Sequence, residues 1–528
     1  MKDSFFRSMS WLHTWVGLLV CWLLLLIFFA GTTSFFRHEI SFWAQPAVHD
    51  LPDYDPALQR QIVSDSIAKL QQQAADARSW RIEMPTERRP SLLLITSQQP
   101  EAGERRGKRE FNYYHPLTLE PLPDYRETRG GNFFYRLHFD LHYMDAISAR
   151  WIVCFASLFM LIALVSGVVI HKRIFKDLFQ FRSGKGLRSW LDGHNVSSVI
   201  ALPFHIMITY TGLVTLIFML LPQPQKQHFG DRQAVRAEQF PFSASIEKSG
   251  QPLQQIALGT ILDHYFTNNN DLPIRRISIS SPADANATIK IYANAVRQVQ
   301  DDPPGWMYQA ASGELLATQH TELSAAENLY GGMIALHTGR FAEPLLRWLY
   351  FLCGLAGCAM IATGAVMWAK RLRKKSKATG KGPFGLRLVE ALNLATIMGL
   401  PAATAAFFHA NRLLPIDLIG RADKEVLAFF ITWGAFTLAA FVSASRRSWW
   451  FAALSNALLW GTLPLVNILV TSGNTLSYLY QQQWLLFAVD AVAIITAIGF
   501  LIQANKLKLT ASSSAAKGKR IKREVVDS

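Results

Sequence analysis

The sequence predicts a polytopic α-helical membrane protein with about eight transmembrane (TM) helices and two small extramembrane α+β domains. Half of its 528 residues are hydrophobic, and its formal net charge is +15. Long charge-free runs alternate with clusters of lysine and arginine. A helix–domain–helix unit in the first part of the chain recurs in the second part, which predicts an internal tandem duplication.

Each TM helix is predicted from a run that is long and apolar enough to cross a bilayer, which takes about 20 residues. The predicted helices cover 1–36, 145–171, 191–222 and 342–369, and four added helices lie within 388–505. The added helices contain no histidine pair, so no haem is predicted there.

Basic residues predict the orientation, because lysine and arginine collect in cytoplasmic loops. Dense basic clusters occupy the predicted loops 172–190 and 370–387 and the tail 506–528. All three fall on one side of an eight-helix topology. We therefore expect a bacterial inner-membrane protein with cytoplasmic N and C termini and with periplasmic domains at 37–140 and 223–335. The positive charge then indicates contact with membrane lipid and no nucleic acid.

Both periplasmic segments show a helix followed by strands of alternating polarity. In the first segment the helix is predicted at 56–75 and the strands at 79–84 and 91–96. In the second segment the helix is predicted at 253–266 and the strands at 273–280 and 287–293. Neither segment contains cysteine, so each must rely on an ordinary hydrophobic core.

Histidines recur at matching positions of the two copies. His13 and His194 lie near the cytoplasmic start of a helix, and His142 and His337 precede helices that start on the outer side. A polar side chain inside a bilayer is costly and needs a partner. A helix–helix hydrogen bond or an interfacial position would satisfy one histidine. Two pairs at two depths instead suit the axial ligands of two b-type haems and an electron path across the membrane.

Three further histidines are candidates for the same sites. His171 closes the second helix, where it either binds a cytoplasmic haem or lies at the interface. His205 lies deeper and would bind an outer haem or relay protons. His138 precedes His142 by one helical turn, and only one of these two needs to bind iron. No Cys-x-x-Cys-His motif is present, which excludes covalent c-type haem attachment.

Three charged residues complete the candidate set. Arg150 and Arg347 occupy matched outer ends of two helices, where they either anchor the interface or contact haem propionates. Asp490 lies inside the last helix, and a buried carboxylate there is a functional hypothesis by default. It would carry protons or pair with a polar neighbour.

Several motifs resemble those of a known family. Tyr308 with Ser312-Gly313-Glu314-Leu315 resembles the end of a PepSY domain. The start Leu12-His13-Thr14-Trp15-Val16-Gly17, the segment from Leu336-His337 to Arg347-Trp348, and Gly31 and Gly212 resemble the PepSY-associated transmembrane helix family. The resemblance covers about residues 1–372 and implies PepSY-like folds for the periplasmic domains. As in some inner-membrane members, it also implies an oxidoreductase that reduces ferric siderophores with b haems for iron uptake.

The substrate and the electron donor stay open. The candidate substrates are a ferric siderophore, ferric citrate, another metal chelate and an acceptor protein. The sequence has neither a dinucleotide-binding fingerprint nor a Walker loop, so electrons would come from a quinol or a cytoplasmic reductase. Two other functions compete with this hypothesis. One is a non-redox membrane module whose PepSY domains bind peptide or protein, and the other is a transporter with periplasmic receptor domains.

Overall fold

The computed structural model describes residues 2–526 apart from 53, 102–106, 123–124, 172–181, 183, 185, 217–226, 228–241, 243–245, 271, 295–302, 320–324 and 380–383. The chain divides into two compact units. Unit 1 comprises Met1–Pro46, Arg126–Leu213 and Glu343–Ser528, and unit 2 comprises Ala47–Tyr125 and Val214–Ala342. Most of the predicted loop 172–190 and the end of the predicted helix 191–222 lie outside the described residues.

The described chain is mostly helical, as predicted, with one antiparallel sheet. The helices are α1 (Lys2–Ser34), α2 (Arg37–Trp43), α3 (Gln59–Gln73), α4 (Gly130–Asp140), α5 (Ala146–Ile170), α6 (Leu187–Ile200), α7 (Leu202–Thr215), α8 (Leu258–Asn268), α9 (Ala325–Thr338), α10 (Pro344–Thr379), α11 (Phe384–Ile397), α12 (Gly399–Leu413), α13 (Arg421–Val442), α14 (Arg446–Val470), α15 (Thr475–Tyr480) and α16 (Trp484–Val526). The strands are β1 (Ser79–Glu83), β2 (Leu92–Ser97), β3 (Arg109–Tyr114), β4 (Ile274–Ser280), β5 (Thr288–Ala293), β6 (Gly305–Gln309) and β7 (Leu315–Gln319).

Within the described residues, seven helices are long and apolar enough to cross a membrane. The number reaches eight when α6 and α7, which meet at 67°, are taken as one broken span. Pro203 accounts for the break, because proline has no N–H for the carbonyl of Val199 and its ring crowds that carbonyl. The predicted number of about eight membrane helices is therefore confirmed by length and composition.

Helix α1 organises the N-terminal part of unit 1. It packs against α4, α5 and α10, and α6 packs against α10. Buried apolar side chains of α1, α5 and α10 form the core between them, including Leu24, Val153, Met160 and Ile361. The added helices form a second bundle in which α14 packs along α16, and α12 packs on α13 and α14. Their core is rich in aromatic rings, among them Phe407 and Phe429.

Unit 2 contains a seven-stranded antiparallel sheet with the strand order β3-β2-β1-β4-β5-β6-β7. Alternate residues of each strand point to one face, where they pack with α3 and α8 in a common hydrophobic core. Trp80, Ile82, Ile277 and Ile289 belong to that core and are almost fully buried. The predicted strands are confirmed within a few residues, and the second predicted helix begins at Leu258 instead of 253.

The two segments that sequence analysis treats as separate domains share this one sheet. Strand β1 of the first segment pairs antiparallel with β4 of the second, and Arg81 lies opposite Ser278 at the middle of the pair. The first segment, Ala47–Tyr125, is narrower than predicted, because α2 and α4 belong to unit 1, whereas the second, Val214–Ala342, is wider than predicted. In both segments one helix is followed by three antiparallel strands, and the second segment adds a fourth strand, β7.

Matching turns follow the third strand of each segment. The N–H of Gly313 donates to Gln309 O at 2.9 Å, and the N–H of Leu119 donates to His115 O at 3.1 Å. Gly313 has φ +78° and Leu119 has φ +53°. A leucine therefore adopts the left-handed conformation that glycine adopts more easily in the second turn.

Candidate functional site

Two membrane histidines of unit 1 face each other. The ring centroids of His13 in α1 and His194 in α6 lie 6.3 Å apart, and the ring planes are inclined by 75°. Metal–imidazole bonds of about 2 Å, with each nitrogen about 1 Å from its ring centre, place the centroids of two axial imidazoles about 6 Å apart. The spacing of His13 and His194 therefore suits a single metal between them.

Each of these rings is oriented by a backbone carbonyl. His13 Nδ1 donates to Ala163 O of α5 at 2.8 Å, and His194 Nδ1 donates to Met360 O of α10 at 2.8 Å. Because a carbonyl oxygen accepts only, the proton lies on Nδ1 and the lone pair on Nε2. Metal-binding histidines commonly use one ring nitrogen in this way and leave the other for the metal.

A glycine lets each ring lie directly against its helix. A Cβ atom on Gly167 would lie 3.1 Å from His13 Cε1, and one on Gly364 would lie 3.3 Å from His194 Cε1. Each glycine follows the accepting carbonyl by four residues, one helical turn later. A hydroxyl lies between them: Ser166 Oγ is 3.4 Å from His13 Nδ1, and Thr363 Oγ1 is 3.5 Å from His194 Nδ1. The same carbonyl–hydroxyl–glycine arrangement thus occurs on α5 and on α10.

His138 has surroundings of the same kind on the opposite part of α1. Its Nδ1 donates to Ile27 O at 2.8 Å. A Cβ atom on Gly31, again four residues after the carbonyl, would lie 2.7 Å from the His138 ring. Of the two neighbouring candidates, His138 therefore has the carbonyl and glycine contacts found at His13.

His205 is fully buried and also lies against a carbonyl–glycine pair. Its Nε2 is 3.2 Å from Cys353 O, and a Cβ atom on Gly357 would lie 3.2 Å from that nitrogen. The Phe28 ring centroid is 6.3 Å away. Cys353 and Gly357 precede the Met360 and Gly364 pair by two turns, about 10 Å along α10. His205 of α7 therefore contacts α10 about two turns before the point at which His194 contacts the same helix.

The remaining histidine candidates have different surroundings. His142 lies in the turn before α5, with its ring stacked 5.5 Å from Phe430. Burial lowers the pKa of His142, and the charges of Arg129 and Arg136 lower it further, whereas Asp423 raises it. His171 caps the end of α5 with its N–H on Gly167 O. His337 is the penultimate residue of α9, in unit 2.

Both candidate arginines form ion pairs within unit 1. Arg150 Nε lies 2.9 Å from Asp140 Oδ1, and Arg347 Nη1 lies 2.6 Å from Glu39 Oε1. The second pair is nearly fully buried. Contact of either arginine with a haem propionate stays a prediction.

Asp490 is fully buried and has three hydrogen-bond donors. Trp43 Nε1 donates at 2.9 Å, Asn467 Nδ2 at 3.0 Å and Thr475 Oγ1 at 2.6 Å. The Arg412 guanidinium stacks 3.5 Å from the centre of the Trp43 ring and donates to Trp43 O and to Asn467. Asp490 thus pairs with polar neighbours, one of the two roles considered for it.

The same polar cluster continues to a second carboxylate. Glu425 Oε1 accepts from Arg421 Nη1 at 2.5 Å and from Asn411 Nδ2 at 2.8 Å, and Glu425 Oε2 accepts from Thr128. Asn411 in turn accepts from Arg412. We call Asp490, Arg412, Asn411, Glu425 and Arg421 the arginine–carboxylate network. The sequence analysis did not identify its arginines, because Arg412 and Arg421 read as loop residues between two apolar runs.

The part of the chain that the structure describes contains no cluster of three or more His, Cys, Asp or Glu side chains able to hold a metal ion. A haem iron needs only two protein ligands, so the His13–His194 pair is sufficient for it. The glycines that lie against the histidine rings can be recognised in the sequence as repeated small residues. The sequence does not show which histidine each glycine contacts.

Comparison with known proteins agrees with the sequence resemblance. A family model described as "PepSY-associated TM region" matches residues 10–371. A protein of Pseudomonas aeruginosa, named "Uncharacterized protein PA4219", is 26% identical over 314 residues, which cover 55% of this chain and 75% of that protein. The matched family region includes every histidine candidate discussed above.

Proposed function

Because the chain belongs to the PepSY-associated TM region family, we propose that it is a di-haem b oxidoreductase. In this proposal it passes electrons from the cytoplasmic side of the bacterial inner membrane to ferric chelates in the periplasm. The observation that carries the proposal is the 6.3 Å spacing of His13 and His194, each held through Nδ1 by a carbonyl.

At this pair the residues would hold an inner haem. His13 and His194 would supply the two Nε2 ligands, while the Ala163 and Met360 carbonyls fix the ring orientation. A bound haem would supply one-electron redox chemistry. Gly167 and Gly364 would allow both rings to lie close to the helices, leaving the space between the rings for the cofactor.

For the outer haem we propose His138 in place of His142. His138 has the carbonyl and glycine contacts of His13, and it follows Leu137 near the end of α4 as His337 follows Leu336 near the end of α9. Within unit 1, His205 is the other candidate for this haem, because it contacts the carbonyl of Cys353 and lies against Gly357. Ligation of the outer haem by His337 stays a prediction from the sequence repeat.

A tandem duplication accounts for these correspondences. The two carbonyl–hydroxyl–glycine arrangements and the two helix-plus-three-strand segments recur in the same order along the chain. In the proposed topology both termini are cytoplasmic and unit 2 is periplasmic. The electron donor would then be a quinol or a cytoplasmic reductase, and membrane lipid would surround the apolar helices.

Reduction explains how such a protein would serve iron uptake. Ferric iron is a harder and more highly charged ion than ferrous iron, so oxygen ligands of a siderophore hold it more tightly. One electron delivered to the chelate would weaken that binding and release the metal. The chain's own contribution is to bind the chelate and to fix the ligands that carry the electron to it.

The test is the visible spectrum of the purified full-length protein. The reduced protein should show the absorption bands of b-type haem, and ferric chelates should reoxidise it. A folded but colourless preparation would instead favour a non-redox PepSY module or a transporter. Reoxidation by a quinone or a protein, but by no ferric chelate, would retain electron transfer and reject ferric reduction.

A further inference from the structure

The sheet of unit 2 has a second face, turned away from the core that packs on α3 and α8. Because side chains alternate along a strand, the neighbours of the buried core residues point to this face. They include Arg81 of β1, Arg276 and Ser278 of β4, and Lys290 and Tyr292 of β5, all partly exposed. We call these five residues the basic face.

The strand register places three cations around a small residue. Arg81 lies directly opposite Ser278, which lies directly opposite Lys290 on the next strand. With neighbouring strands about 4.8 Å apart, the backbones of Arg81 and Lys290 are about 10 Å apart. Arg276 lies two residues from Ser278, about 7 Å along β4. Ser278 is the shortest side chain of this group, and the buried Phe242 ring packs beside Lys290, with its centre 5.5 Å from Lys290 Nζ.

These cations form no ion pair in the described part of the chain, and the carboxylate of Glu83 acts on Arg81 only at longer range. No carboxylate there lies within ion-pair distance of Arg81, Arg276 or Lys290. Glu83, opposite Arg276 in the register, pairs with Arg89 at 3.4 Å.

The environment disfavours the charge on these groups. Burial and the neighbouring guanidinium of Arg276 lower the pKa of Arg81, and burial lowers the pKa of Lys290. Like charges gathered at partly buried positions repel one another, so an anion bound among them would be favoured.

The groups next to these cations include hydrogen-bond donors for the oxygen atoms of a ligand and one aromatic ring. The Arg276 guanidinium stacks 3.8 Å from the centre of the Tyr292 ring, and its Nε is buried without a hydrogen-bond partner. Next to the cations, the register aligns a row of hydroxyl side chains across four strands: Ser97, Ser79, Ser280 and Thr288. Hydroxyl donors beside guanidinium groups are able to bind carboxylate or phenolate oxygens.

We propose that the basic face binds an anionic, oxygen-donor chelate of ferric iron, which makes it a substrate site. This inference rests on the proposed function and names the substrate class: negatively charged catecholate or carboxylate complexes. The three cations lie within about 10 Å of one another in the strand register, and they are half-buried. A flat lipid surface would instead need cations that protrude over a broader area.

The experiment measures binding to the full-length oxidised protein in detergent. The probes are the negatively charged ferric complex of a sulfonated catechol and the neutral ferric complex of acetohydroxamate. The anionic complex should bind more tightly, and its affinity should fall as salt rises. Arg81→Gln should weaken that binding by roughly tenfold, because a charge-assisted hydrogen bond is lost. Lys248→Gln removes the same charge from an exposed position of unit 2 and should change little.

Equal affinity for the two complexes, or equal losses in the two variants, would overturn the proposal. Binding of vesicles rich in anionic lipid, without binding of the anionic complex, would overturn it in favour of a membrane surface. Different results would reject the proposed reductase function and the proposed chelate site. A colourless protein that binds the anionic complex through Arg81 would reject the reductase and retain the site. A haem protein that ferric chelates reoxidise at the same rate with Gln at position 81 would reject the site alone.

Discussion

Unit 1 contains two polar regions inside its apolar helices, and they differ in how completely their groups are satisfied. In the arginine–carboxylate network, every charged group is hydrogen-bonded to another side chain or to a carbonyl. At the histidine pair, each ring uses Nδ1 and has its Nε2 left for a further ligand.

This difference separates two uses of buried polarity. When every charged group of a network is already hydrogen-bonded within the protein, a ligand would add no hydrogen bond that the network lacks. The contribution of such a network is to hold helices together. Two basic nitrogens left side by side in an apolar environment are costly without a partner. The pair is therefore the place to expect a cofactor, and the network is the place to expect a structural role.

The largest effect is expected at the histidine pair. His13→Ala or His194→Ala should abolish binding of the inner haem, because a methyl group replaces an axial ligand and no nearby side chain restores it. Haem content per protein, measured by reduced-minus-oxidised spectra, should fall by one equivalent. His115→Asn, in an exposed turn of unit 2, is the control and should retain both haems. If both variants, His13→Ala and His194→Ala, kept their full haem content, the histidine pair would not be a haem site, and its proposed difference from the arginine–carboxylate network would be wrong.

Substitutions in the arginine–carboxylate network should lower the stability of the protein and leave its haem content unchanged. Arg412→Ala removes the buried guanidinium that donates to Trp43 O, Asn411 and Asn467, and each buried acceptor left unsatisfied costs about 1–3 kcal/mol. The thermal unfolding midpoint should drop markedly, while the spectrum of the folded fraction stays unchanged. Arg129→Ala breaks an exposed ion pair with Asp423 and should cost at most about 1 kcal/mol. Loss of haem from folded Arg412→Ala protein would contradict a purely structural role.

The smallest effect should come from the glycines that flank the pair. In Gly167→Ala the new methyl group would lie 3.1 Å from His13 Cε1, so the ring must shift. Overpacking costs about 1–3 kcal/mol, which corresponds to a weakening of haem binding by roughly fivefold to more than a hundredfold. Gly17→Ala is a matched control in the same membrane region, because its Cβ meets no atom within 4 Å. Haem retention during dilution should distinguish the two variants.

Hydropathy and alternation predicted the helices and strands because those signals are local to each segment. The repeat also predicted that His13 and His194 would meet. Local signals did not predict the pairing of β1 with β4, since each segment read as a complete domain. That pairing depends on two strand edges far apart in the chain.

The different surroundings of His138 and His142 could not be predicted from the sequence either, because they depend on which residue contacts α1 in the folded protein. His142 follows His138 by four residues and lies beyond the end of α4, and only His138 reaches the Ile27 carbonyl and Gly31 of α1. The network was missed for a related reason. Arg412 lies in the last turn of α12 and Glu425 in the first turns of α13, where a sequence window sees polar loop residues. Only the fold reveals that both are buried.

The carbonyl partners of His13 and His194 have a consequence for proton coupling. A carboxylate beside a metal-bound imidazole accepts part of its proton and gives the ring imidazolate character, whereas a peptide carbonyl is too weak a base to do so. Both rings would therefore remain neutral imidazoles in either oxidation state of a haem iron bound between them. An electron would enter and leave this pair without moving a proton on its ligands, and the driving force for that step would be insensitive to pH.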